Sequence, residues 1–350
     1  MNFLYILVAI LIFGILIAVH EGGHFAAAKL CGVRVDEFSI GMGPAIFKKQ
    51  RGETLYSLRC IPIGGYCAMA GEDEQSDDPR AFTSQKAWKR VVILAAGAFM
   101  NLVTGFVIVL ILYSNAAAFR APVIDSFMEG CPYDSPEALQ AGDRFYSIDG
   151  HRIFLYSDVP EYLSEGVHDI VMIRDGQKRE LNDFELVTRE FPGHEGKYFG
   201  FYFGLEDATV LGKLKYSWYT TQEFGRWVFE GLRMLISGEA KATDLSGPVG
   251  IVDLMAQTGE QAESVGDAMY SIFYLGALIA VNLALMNLLP IPALDGGRIF
   301  FLIVTELIVL VTGKKPDPKY EGYIHAAGML LLLALMGVVM FNDIVKIVRK

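Results

Sequence analysis

His20-Glu21-Gly22-Gly23-His24 sets the chemistry open to this chain. Two histidines four residues apart on a helix share one face, so both imidazoles can reach one cation. A glutamate directly after the first histidine is placed to hold and deprotonate a metal-bound water. The setting is unusual, because the five residues end an almost uninterrupted apolar run from Asn2 to Val19. Ionisable groups inside a membrane span cost about 2.5–3.5 kcal/mol each on insertion scales, so these three demand a partner. One zinc ion at the edge of a bilayer is the expected partner. The competing explanation is a chance match to a short pattern.

A third ligand is expected far along the chain. Pro290-Ile291-Pro292-Ala293-Leu294-Asp295-Gly296-Gly297-Arg298 follows the third long apolar run. Two prolines and two glycines at membrane level predict unwound backbone, which is tolerated only where protein or water lines it. Asp295 is therefore expected beside a polar cavity, on the same side as His20 and His24 if that run points inward. A carboxylate oxygen suits zinc as third ligand and leaves the fourth position for water. The competing explanation is a simple ion pair of Asp295 with Arg298.

These residues must be positioned by membrane helices. Of 350 residues, 53% are hydrophobic. The composition predicts a membrane protein with a sizeable soluble part. A net charge of −10 argues against nucleic acid as a partner. Cys31, Cys60, Cys67 and Cys131 form no C-x-x-C pair and are expected to be reduced. The first run lacks a positive leader and is too long for a signal-peptide core. It is expected to cross the membrane and continue as helix to Leu30.

Val91 to Phe119 is the expected second span, Met269 to Leu289 the third and Tyr323 to Phe341 the fourth. Ile299 to Val311 is short and expected to lie at the interface. Basic residues between the first two runs, among them Lys48, Lys49, Arg51, Lys86, Lys89 and Arg90, put that connection in the cytoplasm. Residues 120–265 then lie outside, and the metal motif sits near the cytoplasmic end of the first span.

Within the cytoplasmic connection, Val33–Ile40, Ala45–Lys48, Thr54–Ile61 and Tyr66–Ala70 read as four short strands. They are broken at Gly41-Met42-Gly43-Pro44 and at Pro62-Ile63-Gly64-Gly65. Glu72 to Arg80 reads as an acidic loop. Ala121 to about Asp207 reads as a small soluble α/β domain, with a hairpin turn at Asp175-Gly176 and a helix over Ser157–Ser164. Its stretch Ala141-Gly142-Asp143-Arg144-Phe145-Tyr146-Ser147-Ile148-Asp149-Gly150 resembles the signature of PDZ domains, which implies capture of a peptide end by strand addition. Lys213 to Gly238 mixes aromatics and charge at helical spacing and reads as an amphipathic helix. Ser246-Gly247-Pro248-Val249-Gly250-Ile251 is a turn into another helix.

The combination of His20-Glu21-x-x-His24, the Asn287-to-Gly297 pattern N-x-x-P-x-P-x-x-x-D-G-G and one PDZ-like domain between the second and third spans resembles the site-2 protease family. Asn101 and Ser39-Ile40-Gly41-Met42-Gly43-Pro44 match in kind. The resemblance covers nearly the whole chain. It implies a polytopic α-helical membrane protein with about four transmembrane helices, a membrane-associated β-hairpin sheet and an inserted extracytoplasmic domain. The expected parts are residues 1–119 and 267–350 for the membrane core, 120–208 for the PDZ domain and 209–266 for linking helices.

The resemblance also implies an intramembrane zinc metalloprotease of a bacterial cytoplasmic membrane. His20, His24 and Asp295 would hold one zinc, and Glu21 would be the catalytic base. Asn282, Asn287, Pro290 and Pro292 would shape the substrate channel. Cys67, Ala68 and Met69 would offer a strand edge to the substrate, whose helix must unwind to expose a carbonyl. Expected partners are single-span membrane proteins, such as anti-sigma factors or signal-peptide remnants, either intact or shortened first by another protease, together with membrane lipid. The alternative is an inactive PDZ-bearing scaffold or a transporter. Neither needs Glu21.

Overall fold

A computed structural model describes residues 3–72, 76–239, 246–314 and 318–349. Residues 73–75 of the expected acidic loop lie outside them. The chain divides into two compact units. One comprises residues up to 112 and from 221 onward, and the other Tyr113–Thr220.

The first unit carries the spans. Helix α1 (Phe3–Cys31) buries Tyr5, Ala9, Ile12, Leu16, Gly23, His24, Ala27 and Ala28, a stripe at three- and four-residue spacing. Its other faces expose Phe3, Leu4, Leu7, Leu11 and Ile15, the outward apolar surface that hydrocarbon requires. Helix α2 (Ala87–Leu112) turns small residues and Asn101 inward. Helix α5 (Pro248–Gln261) and helix α6 (Val265–Asn287) join α1 in one apolar cluster that includes Leu16, Met255, Ile272 and Ala280.

Close approach replaces bulk where α1, α2 and α6 meet. A Cβ on Gly23 would lie 2.5 Å from the Ala96 carbonyl oxygen, and one on Gly105 would lie 2.8 Å from Val281. Small residues let helices pack where hydrocarbon surroundings give no hydrophobic drive. Helix α7 (Asp295–Thr312) and helix α8 (Pro318–Val348) complete the unit. Among the described residues four helices, Phe3–Cys31, Ala87–Asn115, Val265–Asn287 and Lys319–Val348, are long and apolar enough to cross a membrane. Helix α7, which carries Asp295, Arg298 and Glu306 in its 18 residues, is not among them.

Between α1 and α2 stand two long strands, β1 (Val35–Arg51) and β2 (Thr54–Met69), in place of the four short ones expected. The expected turns are bends inside them. Gly41, Gly43 and Gly64 take left-handed φ values of 84°, 83° and 87° there. The bends let residues 37–40 pair on one side with 65–68 and on the other with 55–58, while 48–51 pair with 54–57. Residues 65–69 therefore form an outer edge of this sheet. A polar network braces it: Arg59 donates to Glu37 at 2.8 Å and Ser57 to the same carboxylate at 2.7 Å.

The second unit is built on a six-stranded sheet. It contains β3 (Ala118–Phe127), β4 (Arg144–Ile148), β5 (His151–Arg152), β6 (Gly166–Arg174) and β7 (Gln177–Leu186). A two-residue pair, β8 (Arg189–Glu190) with β9 (Lys197–Tyr198), precedes β10 (Phe201–Asp207). The order is β10-β3-β4-β6-β7, with β5 on β4. A short helix α3 (Asp158–Tyr162) lies within the expected 157–164, and Asp175 and Gly176 turn β6 into β7. Phe145, Ile148, Ile170 and Met172 centre its core.

The second span ends sooner than its apolar run suggests. Residues Tyr113–Asn115 form a 3₁₀ turn, and Phe119 belongs to β3. Phe119 stacks on Tyr216 at 4.3 Å, so its hydrophobicity serves packing within the second unit. Tyr216 lies on helix α4 (Val210–Ser237), the expected amphipathic helix, which begins in the second unit and ends in the first.

Candidate metal centre

Three side chains from two distant stretches converge. His20 and His24 lie one turn apart on α1, and Asp295 opens α7. Nε2 of His20 is 3.2 Å from Asp295 Oδ2, and Nε2 of His24 is 3.3 Å from the same oxygen. The two Nε2 atoms are 3.2 Å apart. Ligand atoms held tetrahedrally at zinc's usual 2.0–2.1 Å stand about 3.3–3.4 Å from one another. Asp295 Oδ2 is also buried with no hydrogen-bond partner. The triangle and the orphaned oxygen both fit a cation, and two imidazoles with one carboxylate suit zinc.

Backbone and side chains behind the ligands fix their orientation. His24 Nδ1–H donates to the Ile93 carbonyl at 2.8 Å, which turns Nε2 toward the centre. Asn101, also on α2, is the polar partner of His20 Nδ1, at 3.4 Å. Gly97 lies against both imidazoles. In the sequence Asn101 is marked by its match in kind to the site-2 protease family. Gly97 and the Ile93 carbonyl carried no such mark.

Glu21 projects beside the two imidazoles and Asp295 and accepts a backbone hydrogen bond from Cys67. The strand edge thus touches the glutamate directly. A Cβ on Gly65 would meet Glu21 Cγ at 3.1 Å and the Ser39 carbonyl at 2.9 Å. Cys67 and Met69 are partly or fully covered on their side chains, so what this edge can offer a peptide is backbone.

The connection before α7 differs in part from expectation. Leu288 to Leu294 is irregular, and Ala293 takes a φ of 78°. Gly296 and Gly297, however, lie inside the first turn of α7. They are small because a Cβ on either would overlap backbone of the Leu288–Ile291 segment. Arg298 pairs with Glu72 and so leaves Asp295 to the histidines. His325 Nδ1 accepts from the Ala293 N–H at 3.0 Å, which ties this turn to α8.

The expected channel residues are spread out. Asn282 is exposed on α6, Asn287 closes that helix, Pro290 is exposed in the connection, and Pro292 packs on Gly328. They share one stretch of chain with Asp295 but do not join the cluster of the three ligand atoms.

The family profile of peptidase family M50 matches residues 8–335. A Clostridium acetobutylicum protein, whose name assigns it provisionally to the zinc metalloproteases, is 34% identical over 350 residues. That covers 99% of this chain and 98% of the relative. A Clostridium perfringens protein with the same provisional name is 34% identical over 345 residues, 98% and 99% of the two chains. The regulator of sigma-W protease RasP of Bacillus subtilis is 27% identical over 424 residues, 96% and 97% of the two.

Proposed function

The chain belongs to peptidase family M50, and on that premise we propose that it hydrolyses peptide bonds inside the membrane-spanning segments of other membrane proteins. It is an integral membrane protein and a zinc metalloprotease by family. The observation that carries the proposal is the meeting of His20, His24 and Asp295, with Glu21 alongside, on a helix long and apolar enough to span a bilayer.

His20, His24 and Asp295 would hold the ion. Zinc, when bound, supplies a Lewis acid that polarises a peptide carbonyl and acidifies a water. Glu21 takes the proton of the attacking water and delivers it to the leaving nitrogen. The Cys67 backbone bond to Glu21 holds that carboxylate in place between strand edge and ligands. Residues 65–69 bind an unwound substrate by strand addition, which satisfies backbone groups that hydrocarbon would leave unpaired. Asn282, Asn287, Pro290 and Pro292 line the approach.

The unit Tyr113–Thr220 is read as a PDZ domain on the extracytoplasmic side. The 141–150 signature, the strand order and the short helix support that reading. The metal centre is assigned to the cytoplasmic side of a bacterial cytoplasmic membrane, on the basic residues flanking the first two spans. The Bacillus subtilis relative's name ties it to sigma-W. By analogy, substrates would be single-span anti-sigma factors or signal-peptide remnants, with or without prior trimming by another protease. A scaffold or transporter would give Glu21 no task.

The test is Glu21→Gln in purified protein with a single-span substrate in liposomes. Zinc content should stay at about one per chain while cleavage falls below detection, because an amide cannot accept the proton. Cleavage at the wild-type rate would remove Glu21 from the chemistry.

A further inference from the structure

Asn101 stands in the middle of α2 with 1% of its surface exposed. Its Nδ2 lies 3.4 Å from His20 Nδ1, and its Oδ1 is buried without a hydrogen-bond partner. The nitrogen of His20 that faces Asp295 is the other one, Nε2. Counting protons around the two rings shows what Asn101 must do.

A neutral imidazole carries one N–H. With Nδ1 of His20 accepting from the Asn101 NH₂ group, the proton sits on Nε2. There it points at His24 Nε2, 3.2 Å away. His24 spends its own proton on the Ile93 carbonyl, so its Nε2 is a lone pair. In this arrangement His20 offers a cation no lone pair. Ligation through Nε2 requires the proton on Nδ1, and a buried Nδ1–H requires an acceptor.

The two ends of a carboxamide are nearly the same size, and only the hydrogen-bond network tells them apart. A half-turn of the Asn101 side-chain amide puts oxygen where nitrogen stood. We propose that Asn101 is the positioning residue that sets the tautomer of His20. Its amide oxygen accepts the Nδ1–H when zinc is held, and this leaves the Nε2 lone pair on the ion. The proton moves from Nε2 to Nδ1 of a ring that stays neutral, so charge and atoms balance. The inference rests on reading His20, His24 and Asp295 as zinc ligands.

The experiment is zinc titration of the metal-stripped, full-length protein in detergent against a chromophoric chelator. Wild type is compared with Asn101→Asp and Asn101→Leu, and the visible spectrum of the cobalt-loaded forms is recorded beside it. Asp keeps the acceptor, so its zinc affinity should stay within about threefold of wild type or rise, with an unchanged cobalt spectrum. Leu keeps the volume and removes the acceptor, so its affinity should fall about 10–100-fold. Wild-type affinity in the Leu variant overturns the proposal. So does an Asp variant weakened tenfold or more, which decides alone if the Leu protein does not fold. A wild type that binds no zinc takes down the metal reading itself, an outcome distinct from any difference among the variants.

Discussion

A Cβ on Gly97 would overlap Nε2 of His24, with Cε1 atoms of His20 and His24 each only 2.8 Å away. Helix α2 therefore meets the metal-binding face of α1 with bare backbone. His24 cannot retreat freely, since its Nδ1 is held by the Ile93 carbonyl. Gly97→Ala should lower zinc affinity at least about tenfold by displacing the ring. Helix propensity alone would favour alanine by about 1 kcal/mol, so loss of helix is not the expected cause. Chelator competition on the purified variant checks this, and wild-type affinity would show that the two helices have room to part.

The strand edge can be tested one backbone group at a time. Ala70 N–H donates inward to the Arg34 carbonyl, and the Cys67 backbone bond goes out to Glu21. Alternation along a strand then puts the backbone groups of Met69 on the outer side and those of Ala68 on the ladder side. Met69→Pro should cut cleavage at least about tenfold with zinc retained, because proline removes a donor and obstructs an incoming strand. Met69→Ala should do much less. Equal rates for the two variants would mean that substrate is held elsewhere. Ala68→Pro is the poorer probe, since it breaks the hairpin's own ladder.

Cys67 and Cys60 lie on the same strand and should differ sharply in reactivity. Burial pushes the Cys67 thiol up to about 12, helped by the nearby Glu21 and Glu72 charges. At pH 8 its thiolate fraction is then about one in ten thousand, and thiolate is the reactive form. Cys60 is exposed. A maleimide at pH 8 should label Cys60 within minutes and leave Cys67 largely untouched, as peptide mass mapping would show. Matched labelling rates would mean that the edge opens readily to solvent.

Asp343 near the end of α8 accepts from the Gly247 N–H at 3.0 Å and the Gly250 N–H at 2.8 Å, and so caps α5. The carboxylate is buried at 2% exposure. Asp343→Ala strands two N–H groups and should cost about 1–2 kcal/mol, the usual cost of a lost cap. The readout is a lowered thermal midpoint in detergent, with Asp343→Asn intermediate. An unchanged midpoint for the alanine variant would show that water takes over both donors.

Much of the centre was legible because its signals were local. The spacing of His20 and His24, and a carboxylate after two prolines, need no knowledge of other elements. Asn101 is legible through its match in kind to the family. Gly97 is not, since a glycine in a membrane helix has many uses and only the approach of α2 to α1 selects this one. The Glu21–Cys67 link and the Arg298–Glu72 pair join residues 46 and 226 positions apart, beyond any sequence window. Phe119 misled because an apolar run reads alike whether lipid or a stacked Tyr216 covers its last residue.

The outer edge formed by residues 65–69 has a mechanical consequence. Five residues laid along it as a strand span about 16 Å, whereas the same five in a helix span about 7.5 Å. A substrate captured there by strand addition would need about 9 Å of slack. A segment moored at both ends by folded domains has none to give. One with a free end, or a loose tether at the membrane surface, can reel it in. Discrimination at such an edge would follow how tightly a segment is moored and how easily it frays, more than the letters it contains.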